Sequence, residues 1–291
     1  MYCGIIGNVL FPVWFFQGIQ KMRYITILNM SGRICTMLGI FLLVKSPEDY
    51  ILAAFLQACT PLIAGIFSIV WLRKHYTGLF KLPPMGEIIN SYKEGWSIFV
   101  SSLAVNLYTA TNVVVLGMLT NNVIVGYYSA ADKLITCVRR GIYAVSDAIY
   151  PFISKMMKDD IPKGLQFIKK QLLLYLVVGL VGCTSLFFFS DTIVKLLFGA
   201  DYNLTVDVLR ILSFVPLAVA ISTVFGEETM LPLNMNSAYS RTLVLAAFFS
   251  LLSIFPLCYL WGAKGVAMTM LLTEFLIMII MGGLLRKQLF Q

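Results

Sequence analysis

Charge is what this sequence has least of. Asp, Glu, Lys and Arg together make up 12% of its 291 residues, against roughly 25% in soluble domains. Metal-ligating sets are missing too. The single histidine, His75, lies in a polar loop, and Cys3, Cys35, Cys59, Cys137, Cys183 and Cys258 stand singly in apolar stretches with no CxxC spacing. A metal site therefore has little to build on, and the cysteines read as small packing residues. No nucleophile–base constellation and no phosphate-cradling glycine loop appears, so neither enzyme activity, metal nor cofactor is expected. The short alternating strands of a membrane barrel are lacking. The N-terminus has neither the charged region nor the small-residue cleavage site of a signal peptide. A net charge of +8 without an aromatic-basic soluble module points away from nucleic acid and towards membrane topology.

Apolar length is there in quantity. Hydrophobic residues make up 59% of the chain, and mean hydropathy is +0.86. Apolar runs of about 20 residues, enough to cross a bilayer as helix, recur at nine places: 1–19, 24–44, 50–72, 95–120, 123–151, 171–190, 205–225, 239–260 and 266–285. An all-α, multi-pass membrane protein with nine transmembrane helices is expected. Basic residues fix its orientation, because cytoplasmic connections accumulate Lys and Arg. With the first span running inward, the inner connections hold Lys21, Arg23, Arg73, Lys74, Lys81, Lys93, Lys155, Lys158, Lys163, Lys169, Lys170, Arg241, Arg286 and Lys287. The outer ones hold only Lys45, Lys195, Arg210 and Lys264. The C-terminus is expected in the cytoplasm, and the basic segment 155–170 against anionic headgroups.

The fifth stretch, VIVGYYSAADKLITCVRRGIYAVSDAIYP (123–151), organises the rest. At helical spacing Ser129, Asp132, Lys133, Thr136, Arg140, Tyr143 and Asp147 form one polar stripe, with Arg139 at its edge. Each ionised group near the bilayer centre costs roughly 2.5–3.5 kcal/mol, so turning the stripe to lipid would cost on the order of 10 kcal/mol. Arg33 shares a face with Thr26, Asn29 and Thr36 in the second span. In the fourth, Ser97, Ser101, Tyr108 and Asn112 share another, and Glu274 sits mid-span in the last. Two readings stand. In one, Asp132 and Asp147 neutralise Lys133 and Arg140 in a self-satisfied polar seam. In the other, Arg33, Lys133, Arg139 and Arg140 line a hydrated cationic cavity for an anionic group, to which arginine forks are suited. Tyr108, Tyr127, Tyr128 and Tyr143 are candidate sugar contacts. Trp14, Phe15 and Phe16 read as packing or interfacial residues. Pro12, Pro61, Pro216 and Pro256 are candidate kinks.

Three segments in order resemble one family. FPVWFFQGIQKMRYITILN (11–29), VGYYSAADKL (125–134) with AIYPFISK (148–155), and FGADYNLTVDVLRILSF (198–214) are similar to bacterial polysaccharide export proteins, the Wzx-type O-antigen and oligosaccharide flippases. The resemblance implies the multidrug/oligosaccharidyl-lipid/polysaccharide exporter superfamily, with a MATE-like, twelve-helix, two-lobe transporter fold. By that measure the chain is N-terminally truncated, lacking the first three helices. It would hold a partial first lobe (1–72), a cytoplasmic linker (73–94) and a complete six-helix second lobe (95–291). The implied activity is translocation of an undecaprenyl-pyrophosphate-linked oligosaccharide across the bacterial cytoplasmic (inner) membrane by alternating access. Arg33, Lys133, Arg139, Arg140, Asn112 and Tyr143 are the expected substrate-binding residues. Asp132, Asp147 and Glu274 are candidates for a proton or sodium coupling ion. The implied partners are the lipid-linked oligosaccharide, membrane lipids, and the polysaccharide polymerase with its chain-length machinery. Within the superfamily the alternatives are a lipid II or multidrug exporter, and the basic excess argues against cationic drugs. From another class, a membrane glycosyltransferase or O-antigen polymerase would need longer outer loops than the one at 190–204.

Overall fold

A computed structural model describes residues 2–19, 21–46, 49–75, 84–199 and 201–290. Parts of three expected connections, 47–48, 76–83 in the linker and Ala200, lie outside the described residues, as does the side chain of Ser97. The described residues form helices and their connections, without a strand. Eleven helices follow in order: α1 (Tyr2–Leu10), α2 (Val13–Gly18), α3 (Met22–Leu43), α4 (Tyr50–His75), α5 (Met85–Leu119), α6 (Asn122–Asp159), α7 (Ile161–Phe198), α8 (Asn203–Leu212), α9 (Val215–Phe225), α10 (Asn236–Trp261) and α11 (Ala263–Phe290). A π-helical turn, Gly226–Met230, follows α9.

Seven helical stretches among the described residues are long and apolar enough to cross a membrane: Arg23–Leu43, Ile51–His75, Ile98–Leu119, Ile161–Phe198, Asn203–Met230, Asn236–Trp261 and Ala263–Arg286. The first expected span is instead a short apolar piece, Gly4–Gly18, which breaks at Pro12 between α1 and α2. Helix α6, at 38 residues, is about 57 Å long, ample for a crossing, but its polar stripe keeps it out of the seven.

The chain divides into two compact units, Met1–Met85 and Gly86–Gln291. In the first, α1 and α3 pack on α4. Glycines permit the α1–α4 approach. A methyl on Gly7 would collide with the backbone of Pro61 and Leu62, and one on Gly65 would stand 2.8 Å from the Gly7 carbonyl oxygen. Close approach through small residues is how helices gain contact where lipid competes for apolar surface. Phe16 is fully buried in this unit, its ring 5.4 Å from that of Trp71, with Tyr24 4.4 Å from Trp71. Trp14 is exposed. The expected common face of α3 splits: Thr36 is buried and 2.9 Å from the Thr60 hydroxyl, whereas Thr26 and Arg33 are exposed.

In the second unit, Asn121 caps α6 by accepting from the Ile124 N–H at 3.0 Å. Asp160 then caps α7, accepting from the Lys163 N–H at 3.2 Å, with a proline in the first turn. Acidic cap and early proline are what start a helix at this corner. Two apolar cores form. One joins Leu116, Ile135, Leu212, Ile254 and Met270; the other joins Tyr108, Ile153, Ile168, Val224 and Ile277. Helix α5 supplies Val115 and Leu116 to the first core and Ala104 and Tyr108 to the second, without close backbone packing on its neighbours. The space this leaves holds the polar features described next.

Of the cysteines, Cys183 and Cys258 are buried, in keeping with a packing role, but Cys35 and Cys137 are exposed on their own units. Exposure there follows from helix faces that no described neighbour covers.

Candidate functional site

A polar layer separates the two cores. Glu274 lies 11 residues into α11, about 17 Å along the helix and thus near the middle of a hydrocarbon layer roughly 30 Å thick. It is flanked on that helix by Met270 of one core and Ile277 of the other. Arg139 Nη2 stands 3.6 Å from Glu274 Oε1, the two side chains being 11% and 4% exposed. From α5, the Tyr108 hydroxyl donates to the same Oε1 at 3.0 Å. Three helices thus each contribute one group to a buried ion pair with a phenolic brace. A carboxylate taken out of water is tolerable only with such partners.

Cavities flank this pair. The larger, about 240 Å3, is bounded by α5, α6, α9 with its π-helical turn, α10 and α11, and its polar lining includes Asn106, Tyr108, Tyr143, Glu227, Tyr239 and Glu274. The smaller, about 70 Å3, is lined by Asn112, Tyr128, Asp132, Thr136 and Arg139 among others. Asn112 Oδ1 and Arg139 Nε, one an acceptor and the other a donor, are buried without a hydrogen-bond partner. Their residues share the wall of that small cavity, which has room for ordered water to satisfy both.

The structure therefore brings together Asp132, Arg139 and Asn112 around one cavity, and Tyr143 with Glu274 around the other. It does not bring in the rest. Lys133, Arg140 and Asp147 are exposed on their own unit, and Arg33 is exposed on the first. The seam that forms is also not the expected one. Arg139 pairs with Glu274 on another helix, while neither Asp132 nor Asp147 pairs with Lys133 or Arg140 among the described residues. The reason is angular: the stripe is broad, and its Asp132–Arg139–Tyr143 flank is the one turned into the bundle. Tyr128 leaves the sugar candidates. It is buried in the apolar core, its hydroxyl 3.9 Å from the Met270 sulfur.

Two functional candidates escaped the sequence reading. Glu227 and Glu228 stand side by side on the π-helical turn, just past the expected end of the seventh span. Glu228 is fully buried; one carboxylate oxygen accepts from the Ser146 hydroxyl at 2.6 Å and the other from the Gln171 amide at 2.6 Å. Glu227 lines the larger cavity. The available signal was GEETM following an apolar run with no helix breaker between them.

On its other side α6 borders an apolar groove of about 470 Å3, shared with α7 and α9 and lined by Val138, Ile142, Val145, Val178, Gly182 and Pro216 among others. Among the described residues no group of three or more His, Cys, Asp or Glu side chains is arranged to hold a metal ion.

Comparison with known proteins adds relatives. The family model described as "Polysaccharide biosynthesis protein" matches residues 1–157. The chain is 31% identical over 274 residues to the "Putative O-antigen transporter" of Escherichia coli (strain K12), covering 94% of this chain and 66% of that protein. It is equally 31% identical over 277 residues to the protein of the same name from Shigella dysenteriae, covering 95% and 69%. The chain thus spans about two thirds of the length of these curated relatives. A more distant similarity, 23% over 242 residues, covers 82% of this chain and 50% of the "Probable low-salt glycan biosynthesis flippase Agl15" of Haloferax volcanii. No solved structure matches the chain.

Proposed function

The chain belongs to the polysaccharide biosynthesis protein family, and on that premise we propose that it is part of a flippase that carries a lipid-linked oligosaccharide across the cytoplasmic membrane. The observation that carries this reading is the polar layer: an ion pair, tyrosines and a cavity of about 240 Å3 between two apolar cores of a helical bundle. A glycan head cannot cross acyl chains, but it can move through a polar interior while its lipid tail stays outside. The length and amphipathic character of α6 support counting it as a crossing beside the seven apolar stretches. Counting the broken α1–α2 segment as well gives the nine crossings of this reading. The basic inner connections support a cytoplasmic C-terminus.

Within this reading the exposed cations Lys133 and Arg140 of the second unit are the candidates to meet the pyrophosphate, as is, on its own unit, Arg33; charge-assisted bonds from such groups suit phosphate oxygens. Arg139 leaves that group, because its guanidinium is committed to Glu274. Glu274, paired with Arg139, Asp132, which shares the wall of the smaller cavity with Arg139, and the exposed Asp147 are the candidates for coupling a proton or sodium ion. Full-length protein in proteoliposomes, given a fluorescent polyprenyl-pyrophosphate-linked disaccharide, tests the proposal. Protein-dependent flipping is expected, abolished by Arg140→Gln with insertion and melting temperature unchanged. Flipping at the unassisted rate by the intact protein overturns the function; wild-type flipping by Arg140→Gln removes that residue from the site.

A further inference from the structure

Within the larger cavity the two carboxylates differ. Glu274 is matched by Arg139 and Tyr108, whereas no hydrogen bond or ion pair reaches Glu227 among the described residues. The π-helical turn creates this difference. Its extra residue per turn sends Glu228 back towards Ser146 and Gln171 and leaves Glu227 on the cavity wall; π-turns of this kind concentrate at functional sites. Gly226 completes the cradle. A methyl there would come within 2.6 Å of the Tyr239 ring, so only glycine lets that ring close over the turn and line the same space.

The cavity is amphipathic in section. Tyr108, Tyr143 and Tyr239 supply hydroxyls and aromatic faces near the two carboxylates, and Val219, Leu243 and Ile277 supply a dry wall. A sugar ring has the complementary form, with hydroxyls that donate to carboxylate oxygens and a C–H face that packs on apolar or aromatic surface. Pockets for drug-sized ligands run to roughly 300–1,000 Å3; about 240 Å3 suits one ring rather than a chain of them. Ser102 and Asn106, exposed on α5, form a rim through which a ring can enter. Formal charge selects among rings. With Arg139 already paired with Glu274, the lining offers no free cation to an anion and adds a further acid, Glu227, which disfavours phosphate and acidic sugars.

We propose that this cavity is a subsite for one sugar ring of the carried glycan, a ring that bears no negative charge. The proposal rests on the flippase reading and narrows it, because it separates the place that holds a sugar from the exposed cations that meet the pyrophosphate.

The test uses full-length protein in lipid nanodiscs, with methyl glucoside and methyl glucuronide as probes and calorimetry as the readout. Methyl glucoside is expected to bind and methyl glucuronide to fail. Glu227→Gln, checked for an unchanged melting temperature, is expected to weaken the glucoside by about tenfold while admitting the glucuronide. Gly226→Ala serves as a second variant that displaces Tyr239 without touching charge, and it is expected to weaken both probes. The proposal is overturned if the two glycosides bind the wild type equally, if Glu227→Gln changes neither, or if sodium binds at Glu227 and neither glycoside does. Flipping is measured separately. Flipping without glycoside binding sinks the subsite and leaves the flippase reading; selective glycoside binding without flipping supports the subsite and sinks that reading.

Discussion

Helix α6 has neighbours of opposite character on its two sides. Towards α5 and α11, Asp132, Arg139 and Tyr143 border polar cavities of about 70 and 240 Å3. Towards α7 and α9, Val138, Ile142 and Val145 border a groove of about 470 Å3 that is almost wholly apolar. The larger space is thus the dry one, and size says little about where a polar cargo would go. What distinguishes the sides is which residues α6 turns to each, ionisable and hydroxyl side chains to one and aliphatic ones to the other. Arg139 and Arg140 make the point at the scale of one residue: a rotation of about 100° takes the guanidinium from a buried pair with Glu274 to an exposed position on the unit.

The largest test of that contrast is Arg139→Met. It strands Glu274 without a cation, and removing one partner of a buried pair costs about 3–5 kcal/mol. Thermal unfolding in detergent is expected to fall steeply, to recover in the Arg139→Met/Glu274→Met double variant, and to be unmoved by Arg140→Met. Equal effects at 139 and 140 would erase the distinction between the two arginines. Glu228→Leu comes next. It leaves the Ser146 and Gln171 donors unsatisfied, at about 1–3 kcal/mol for a lost buried partner, and the same melting assay reads it. On the apolar side, Gly179→Ala places a methyl 2.6 Å from a Leu217 methyl carbon, whereas Gly182→Ala meets open space. The first should cost at most about 1 kcal/mol, as the end of the Leu217 side chain shifts, and the second close to nothing; a large loss at both would mean the groove is closed.

The smallest effect lies at the α6–α7 corner. Hydrogen bonds from the Lys163 side chain and N–H, with the nearby ammonium, hold the Asp160 carboxylate below its ordinary range. A carboxylate with a lowered folded-state pKa stabilises above its unfolded value and loses that contribution as pH falls. Unfolding compared at pH 7 and pH 3 should therefore show a slightly smaller acid-induced loss in Asp160→Ala than in the wild type, and an identical loss would remove Asp160 from the pH dependence.

Much of the helical plan was readable in advance, because a helix in lipid must be continuous and apolar for about 20 residues. Seven of the expected stretches reappear as such helices. The first of the nine expected stretches is not among them, because it breaks at Pro12, as a helix does at a proline without its N–H. The polar side of α6 was readable from its period. Two things were not. Glu274 could be recognised as an intramembrane acid, but its partners, Arg139 and a tyrosine 166 positions away, follow no local spacing. The acids at 227 and 228 stood past the point where hydropathy declined, and only the π-helical turn carries them back into the bundle.

On its own, the sequence determined that the chain is built of apolar helices and that α6 carries a polar stripe too costly to leave in lipid, since hydropathy and period belong to each residue and its near neighbours. Only the tertiary structure decided which flank of that stripe is sealed, which arginine is spent on a carboxylate, and where an unmatched acid faces a cavity. Those outcomes depend on the rotation and spacing of α5, α6 and α11 about one another, and a shift of a single residue along any of them would exchange a buried partner for an exposed one.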